Sequence, residues 1–197
     1  MSLMDQLTDV ISSQIAGQAA SKTGMDARTA KQLAPMAVAV LMNGLKKNAA
    51  EPSGAEALAR ALQNHDGDLL SNLNRVGDDQ VVNDGRKILG HILGGKQDGA
   101  ERALAGAAGV DKSQVAALLA MAAPVVLASL GREKNARGLD VAGLAGLVTE
   151  EGIRAERTAP NELGGVLKFL DADGDGDITD EVLDMGAKML GGLFGKK

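Results

Sequence analysis

Nineteen consecutive residues, Ser113 to Gly131, run SQVAALLAMAAPVVLASLG without a single charge. A run of that length has two stable destinations. One is a bilayer, which it is about long enough to span. The other is the interior of a helical protein, as one helix or as a pair interrupted near Pro124. Three features send it to the interior. Alanine, only weakly apolar, supplies much of the run. Pro124 lies in its middle, where a proline removes a helix hydrogen bond. The run also has a more polar counterpart elsewhere in the chain, and this argues against a transmembrane segment.

That counterpart is TGMDARTAKQLAPMAVAVLMNGLKKN (23–48), which aligns without gaps on AGVDKSQVAALLAMAAPVVLASLGRE (108–133). Gly24, Asp26, Leu33, Met36, Ala37, Val40 and Leu45 meet Gly109, Asp111, Leu118, Met121, Ala122, Val125 and Leu130. Each copy has a glycine turn, an aspartate placed to cap a helix, then an apolar helical run and a charged exit. Arg28 and Lys31 lie inside the first copy, as expected of a helix with one face in water. Pro35 is expected to kink or restart that first helix.

The remaining segments also favour helices. Leu3, Leu7, Val10/Ile11 and Ile15 form a helical stripe. Residues 53–63, 79–93, 96–108, 139–150, 161–170 and 179–194 give further helices. Gly67 and Gly94 or Gly95 are expected to end helices. No period-2 alternation persists, so no sheet is expected. The fold class is all-α, a multi-helix bundle of two weakly similar lobes. The divisions are 1–95, 96–150 (repeating about 24–48 at 109–133) and 151–197, and the lobes can pack as one compact domain. GREKNARG (131–138) is the first linker candidate and 151–160 the second.

Composition removes several functions. With two Phe, no Tyr and no Trp, platforms for stacking exposed bases are nearly missing. The net charge is −5 and the only basic cluster is the terminal GKK, so nucleic acid is not an expected partner. Cysteine is absent, which removes disulfides, thiolate metal sites and thiol nucleophiles. The opening MSLMDQLTDV lacks a basic segment of the signal-peptide kind, and a cytoplasmic location is expected.

Chemistry concentrates in DADGDGDITDE (171–181), where six of eleven side chains are carboxylates. Calcium takes six to eight oxygens, and a twelve-residue loop of the EF-hand kind supplies them at positions 1, 3, 5, 7, 9 and 12, with glycine at 6. Asp171, Asp173 and Asp175 fall at 1, 3 and 5, Gly176 at 6 and Asp177 at 7, where the backbone carbonyl serves. Ile178 at 8 points to an apolar core, and Thr179 at 9 can act through water. Position 12 is Val182 rather than the usual glutamate, so Asp180 or Glu181 must close the shell. Carboxylates converging this closely repel unless a cation lies among them. Calcium is preferred to magnesium, which takes fewer protein ligands in stricter geometry. The competing account is a solvated turn in which Asp177 or Thr179 caps the last helix.

Other motifs carry less. GHILGGKQ (90–97) begins as a phosphate-binding loop, but Gln97 stands where a hydroxyl should hold magnesium, and the preceding VVNDGRKIL favours helix over strand. His65 and His91 are the only histidines, and nothing in their spacing requires a shared metal. No serine sits in a nucleophile elbow, and no small-molecule substrate can be named. The tail carries Val182, Leu183, Met189, Leu190, Leu193 and Phe194 before two lysines. Such a helix docks on the core, on a partner, or on a membrane surface.

LAPMAVAVLMNGL, NHDGDLL, ILGHILGG, LLAMAAPVVLASLG and LDADGDGDITDEVLDMGAKML together resemble the bacterial domain-of-unknown-function 937 family, related to the YidB-like proteins. The resemblance covers about 20–194 and implies a helical, non-membrane bacterial protein. Family members similarly end in an LDxDGDG loop with acids at the positions of Asp180 and Glu181. No activity comes with it. The sequence therefore points to a non-enzymatic helical protein with one structural divalent cation, acting through protein contacts or self-association. The alternatives are a membrane-surface or envelope-associated protein using its terminal helix, and an enzyme with an unrecognised carboxylate site.

Overall fold

The computed structural model of the chain describes residues 2–65 and 67–158. The described residues form eight α-helices and no strand: α1 (Leu3–Val10), α2 (Ala16–Thr23), α3 (Ala27–Ala49), α4 (Pro52–Ala61), α5 (Asp79–Leu93), α6 (Gln97–Ala108), α7 (Lys112–Arg137) and α8 (Val141–Thr158). Helices α1 and α2 are joined by a π-turn, Ile11–Ile15. Short 3₁₀ turns at Leu62–Asn64, Asp68–Ser71 and Leu73–Gly77 link α4 to α5. The all-helical fold class holds for these residues.

The π-turn follows from the spacing of the N-terminal stripe. Leu3, Leu7, Ile11 and Ile15 are all buried and recur every four residues. In a helix of 3.6 residues per turn, each such step rotates the side chain by about 40°. Widening one turn to i→i+5 bonding takes up this drift. Ile11 and Ile15 then remain on the face that α3 covers.

Two helices are buried on every side. In α3 all residues from Met36 to Leu45 are buried, and in α7 all residues from Leu118 to Gly131. These are the two similar stretches of sequence, and they share local geometry. Gly24 and Gly109 end the preceding helices at φ 71° and 65°. Asp26 and Asp111 cap the starts of α3 and α7. Helices α1, α2, α5 and α6 pack against both central helices, and α8 packs across α3, α4 and α1. The buried apolar residues from Leu3 to Ala155 form one cluster.

Helix α7 is long and apolar enough to cross a membrane by length and composition, but 83% of its most apolar window is buried inside the fold. It is the inner helix of a bundle, as a helix apolar all round must be when protein surrounds it.

Neither proline ends its helix: α3 runs through Pro35 without restarting, and α7, expected to be interrupted at Pro124, runs through it. Each proline costs one hydrogen bond, to the carbonyl of Lys31 or Ala120, and packing on all sides holds the helix nonetheless. At Ala120 a neighbour meets the lost bond. A Cβ on Gly85 of α5 would stand 1.8 Å from the Ala120 oxygen, so the hydrogen in that direction makes a Cα–H···O contact.

Most of each expected linker is also helix, while residues 159–160 lie outside the described residues. Residues 131–137 complete α7, where Arg137 pairs with Glu133 at 2.5 Å and Gly138 ends the helix at φ 62°. Residues 151–158 complete α8.

Candidate functional site

The six acidic residues expected to hold a cation, Asp171, Asp173, Asp175, Asp177, Asp180 and Glu181, lie outside the described residues, as do the helices expected at 161–170 and 179–194. Among the described residues no group of three or more His, Asp or Glu side chains is placed to hold a metal ion. What the structure gives is α8, the last described helix before the acidic segment in the sequence, together with two cavities that the sequence did not reveal.

Buried Glu151 of α8 accepts the Met4 backbone N–H at 3.0 Å, one of the amides that the first turn of any helix leaves unpaired. Ser2 and Asp5 complete a capping box at the same end. Four residues after it, Ala155 is fully buried. Glu156 then accepts Asn43 Nδ2 at 2.6 Å and pairs with Lys46 Nζ. Asn43 is fully buried, and its Oδ1 meets no hydrogen-bond partner among the described residues. Gly152 lets α8 close on the Lys46 stem, because a Cβ there would stand 2.9 Å from Lys46 Cβ. Glu156 therefore fixes the end of α8 to the last turns of α3.

The first cavity, about 330 Å³, lies under the 3₁₀ turns that follow α4. Pro124 of α7 lines it, along with Leu69 and Val81, and its polar groups come from Asn64, His65, Asp68, Asn72, Arg75, Gln80 and Asp84. Gly67 makes the bend with φ 113°, and a Cβ there would meet Arg132 Cβ at 3.2 Å. His65 Nε2 stands 3.8 Å from Asp84 Oδ2, beyond hydrogen-bond range but close enough for attraction when the ring is protonated. The described residues that line the space include no thiol or hydroxyl group. Their arrangement can bind polar groups.

The second cavity, about 230 Å³, lies where α3, α5 and α6 meet. Its walls are Gly44, Lys47 and Asn48 of α3, residues 91–93 of α5 and the Gly94–Lys96 turn. Asn48 Nδ2 donates to the carbonyls of His91 and Ile92, at 3.0 and 3.1 Å, and so caps the end of α5. Gly94 follows at φ 54°. The residues before GGK are helix, so no strand delivers this glycine turn as a phosphate-binding loop requires. Among the described residues that line the cavity, the basic side chains are Lys47, His91 and Lys96.

Neither cavity was accessible to sequence reasoning, because each joins residues far apart in the chain. The nearest signals were the NHDGD and GGK turns, which mark the local bends but not the helices that meet there.

Residues 5–133 match the family model of a bacterial protein of unknown function. The match covers α1 up to the last turns of α7 and stops before α8 and the acidic segment. No curated protein and no solved structure matches the chain.

Proposed function

The chain belongs to the DUF937 family of bacterial proteins, and from that premise we propose that it is a non-enzymatic helical protein that binds one divalent cation and acts through protein contacts. The cation is calcium in preference to magnesium. Its ligands are Asp171, Asp173, Asp175 and the Asp177 carbonyl, with Asp180 or Glu181 closing the shell. The observation that carries this proposal is the D-x-D-x-D-G spacing of residues 171–176. It alternates carboxylates with small residues and puts glycine at the tight bend, as a calcium loop of the EF-hand kind demands. One such loop acts as a clamp within the protein, since sensors usually work in pairs.

The test is calorimetric titration of the full chain with calcium and with magnesium, paired with thermal unfolding in each cation and in chelator. Calcium is expected to bind once. A ligand bound to the native state alone stabilises it by about 2.7 kcal/mol at a hundredfold excess over Kd. The double substitution Asp173→Ala, Asp175→Ala is expected to abolish both signals. Calcium binding that survives it would remove the proposal.

A second proposal comes from the apolar residues Val182 to Phe194 followed by Lys196 and Lys197, a composition that suits a membrane surface. Co-sedimentation with anionic vesicles is expected to fall when residues 185–197 are removed. Equal pelleting of both forms would eliminate it.

A further inference from the structure

The cavity under the 3₁₀ turns has no assigned role, and its walls are held in place. A run of short turns would make a loose roof by itself, yet this one is braced at both ends. Gln18 of α2 donates its side-chain amide to the Leu73 carbonyl at 2.9 Å and accepts the Gly77 N–H at 3.0 Å, which fixes the Leu73–Gly77 turn. Gly67 seats the first turns on α7, where a Cβ would stand 3.2 Å from Arg132 Cβ. A cavity ordered before its ligand arrives avoids the cost of ordering on binding.

Its surface has two parts. The floor is aliphatic, made by Leu69, Val81 and Pro124, and Leu69 and Val81 are only partly buried. The rim carries three carboxamides, Asn64, Asn72 and Gln80. All three are exposed, so water satisfies them until a ligand does. The charges of the rim are met locally. Arg75 pairs with Asp78, His65 faces Asp84 at 3.8 Å, and Asp68 has a partner as well.

These groups narrow the ligand. No Phe, Tyr or Trp is among the residues that line the cavity, so a base finds no ring to stack on. Among the described residues no group of three His, Asp or Glu is placed for a metal ion. A carboxamide, by contrast, offers an acceptor and donors in one plane, which is the complement of a peptide group. Three of them around an aliphatic floor suit one aliphatic side chain with the peptide groups on either side of it. The size agrees, because 330 Å³ lies at the small end of ligand cavities, which run from about 300 to 1,000 Å³.

We propose that this cavity is a docking site for a partner protein, which lays one aliphatic side chain on Leu69, Val81 and Pro124 and pairs the adjoining peptide groups with Asn64, Asn72 and Gln80. The proposal rests on the reading above that the chain acts through protein contacts, and it makes no use of the cation site.

The probe is N-acetyl-leucine methylamide, one aliphatic side chain between two peptide groups. It is titrated into the full-length protein, with methyl and amide NMR signals as the readout. At ordinary efficiency a ligand of this size binds with a Kd on the order of 1 mM. The methyl signals of Leu69 and Val81 should shift together and saturate. N-acetyl-glycine methylamide keeps the peptide groups and lacks the side chain, and should bind at least about tenfold more weakly. The double substitution Asn72→Ala, Gln80→Ala alters two exposed residues and should weaken the leucine probe about tenfold. Gln63→Ala, also exposed but outside the cavity, should leave it unchanged.

Absence of saturable shifts at Leu69 and Val81 overturns the docking site. So does equal binding of the leucine and glycine probes, or a leucine probe indifferent to the double substitution. Free leucine carries charged ends in place of peptide groups and should bind more weakly than the capped form. If it binds as tightly, the cavity belongs to an amino acid and not to a protein partner. Failure here leaves protein contacts through another surface standing, and the calcium titration decides the cation site separately.

Discussion

At Gly85 a single hydrogen atom separates two helices. The carbonyl it touches, Ala120, is the one that Pro124 deprives of its donor, and a methyl group would stand 1.8 Å from that oxygen. Backbone on both sides cannot yield as a side chain would. Gly85→Ala is therefore expected to destabilise the fold by about 3 kcal/mol, at the upper end of ordinary overpacking. Gly90, on the same helix, meets nothing within 4 Å, and Gly90→Ala should stabilise by about 0.5–1 kcal/mol through helix preference alone. Urea unfolding of the pair measures both, and equal effects would refute the account of the contact. Charge offers a second test at this scale. Hydrogen bonding from Lys112 lowers the pKa of Asp98, aided by the charge of Arg102. A depressed carboxylate contributes stability above its unfolded-state pKa and loses it as the pH falls through the folded value. Wild type and Asp98→Asn should thus differ at neutral pH and converge as the pH falls through the lowered carboxylate range. The difference should be small and should shrink in salt, since the group is exposed.

Helix ends were the most legible elements, because their signals are local. Asp26 and Asp111 cap α3 and α7, and Gly24, Gly94 and Gly109 take positive φ at helix ends. Helix interiors were less so. A proline costs roughly 3 kcal/mol in an isolated helix, which made Pro35 and Pro124 look like breaks. That cost is met by packing partners the sequence does not place beside them. Residues 131–138, GREKNARG, read as the first linker candidate, yet 131–137 complete α7. They are helical because Glu133 and Arg137 pair one turn apart and the helix stop comes only at Gly138. Long-range capping was hidden altogether. Asn48 closes the end of α5 from a different helix. Asn48→Ala should cost about 1 kcal/mol, the net worth of a typical hydrogen bond. Hydrogen exchange should quicken in the last turn of α5 before it changes in α7. Uniform acceleration throughout the chain would count against a capping role.

For the whole molecule, the acidic segment is a candidate that sequence alone can offer, because a loop of the EF-hand kind would be one continuous stretch of chain. The cavities are not, since Lys47 and Lys96, or His65 and Asp84, meet only after the helices pack. The same packing bears on how the two similar stretches unfold. Helices α3 and α7 are each buried all round, and they touch each other as well as sharing α1, α2, α5 and α6 as neighbours. Neither can lose its surroundings without exposing the other, so the described core should melt in one transition. Leu41 and Leu119, both fully buried, test this from opposite copies. Either leucine changed to alanine should cost about 2–5 kcal/mol. At about 2–4 °C per kcal/mol for a chain of this size, each should lower the Tm by roughly 10 °C. In scanning calorimetry both variants should shift the same single peak, with calorimetric and van't Hoff enthalpies equal. If Leu41→Ala moves one peak and Leu119→Ala another, the two copies are separate folding units, and the continuous apolar cluster does not bind them into one.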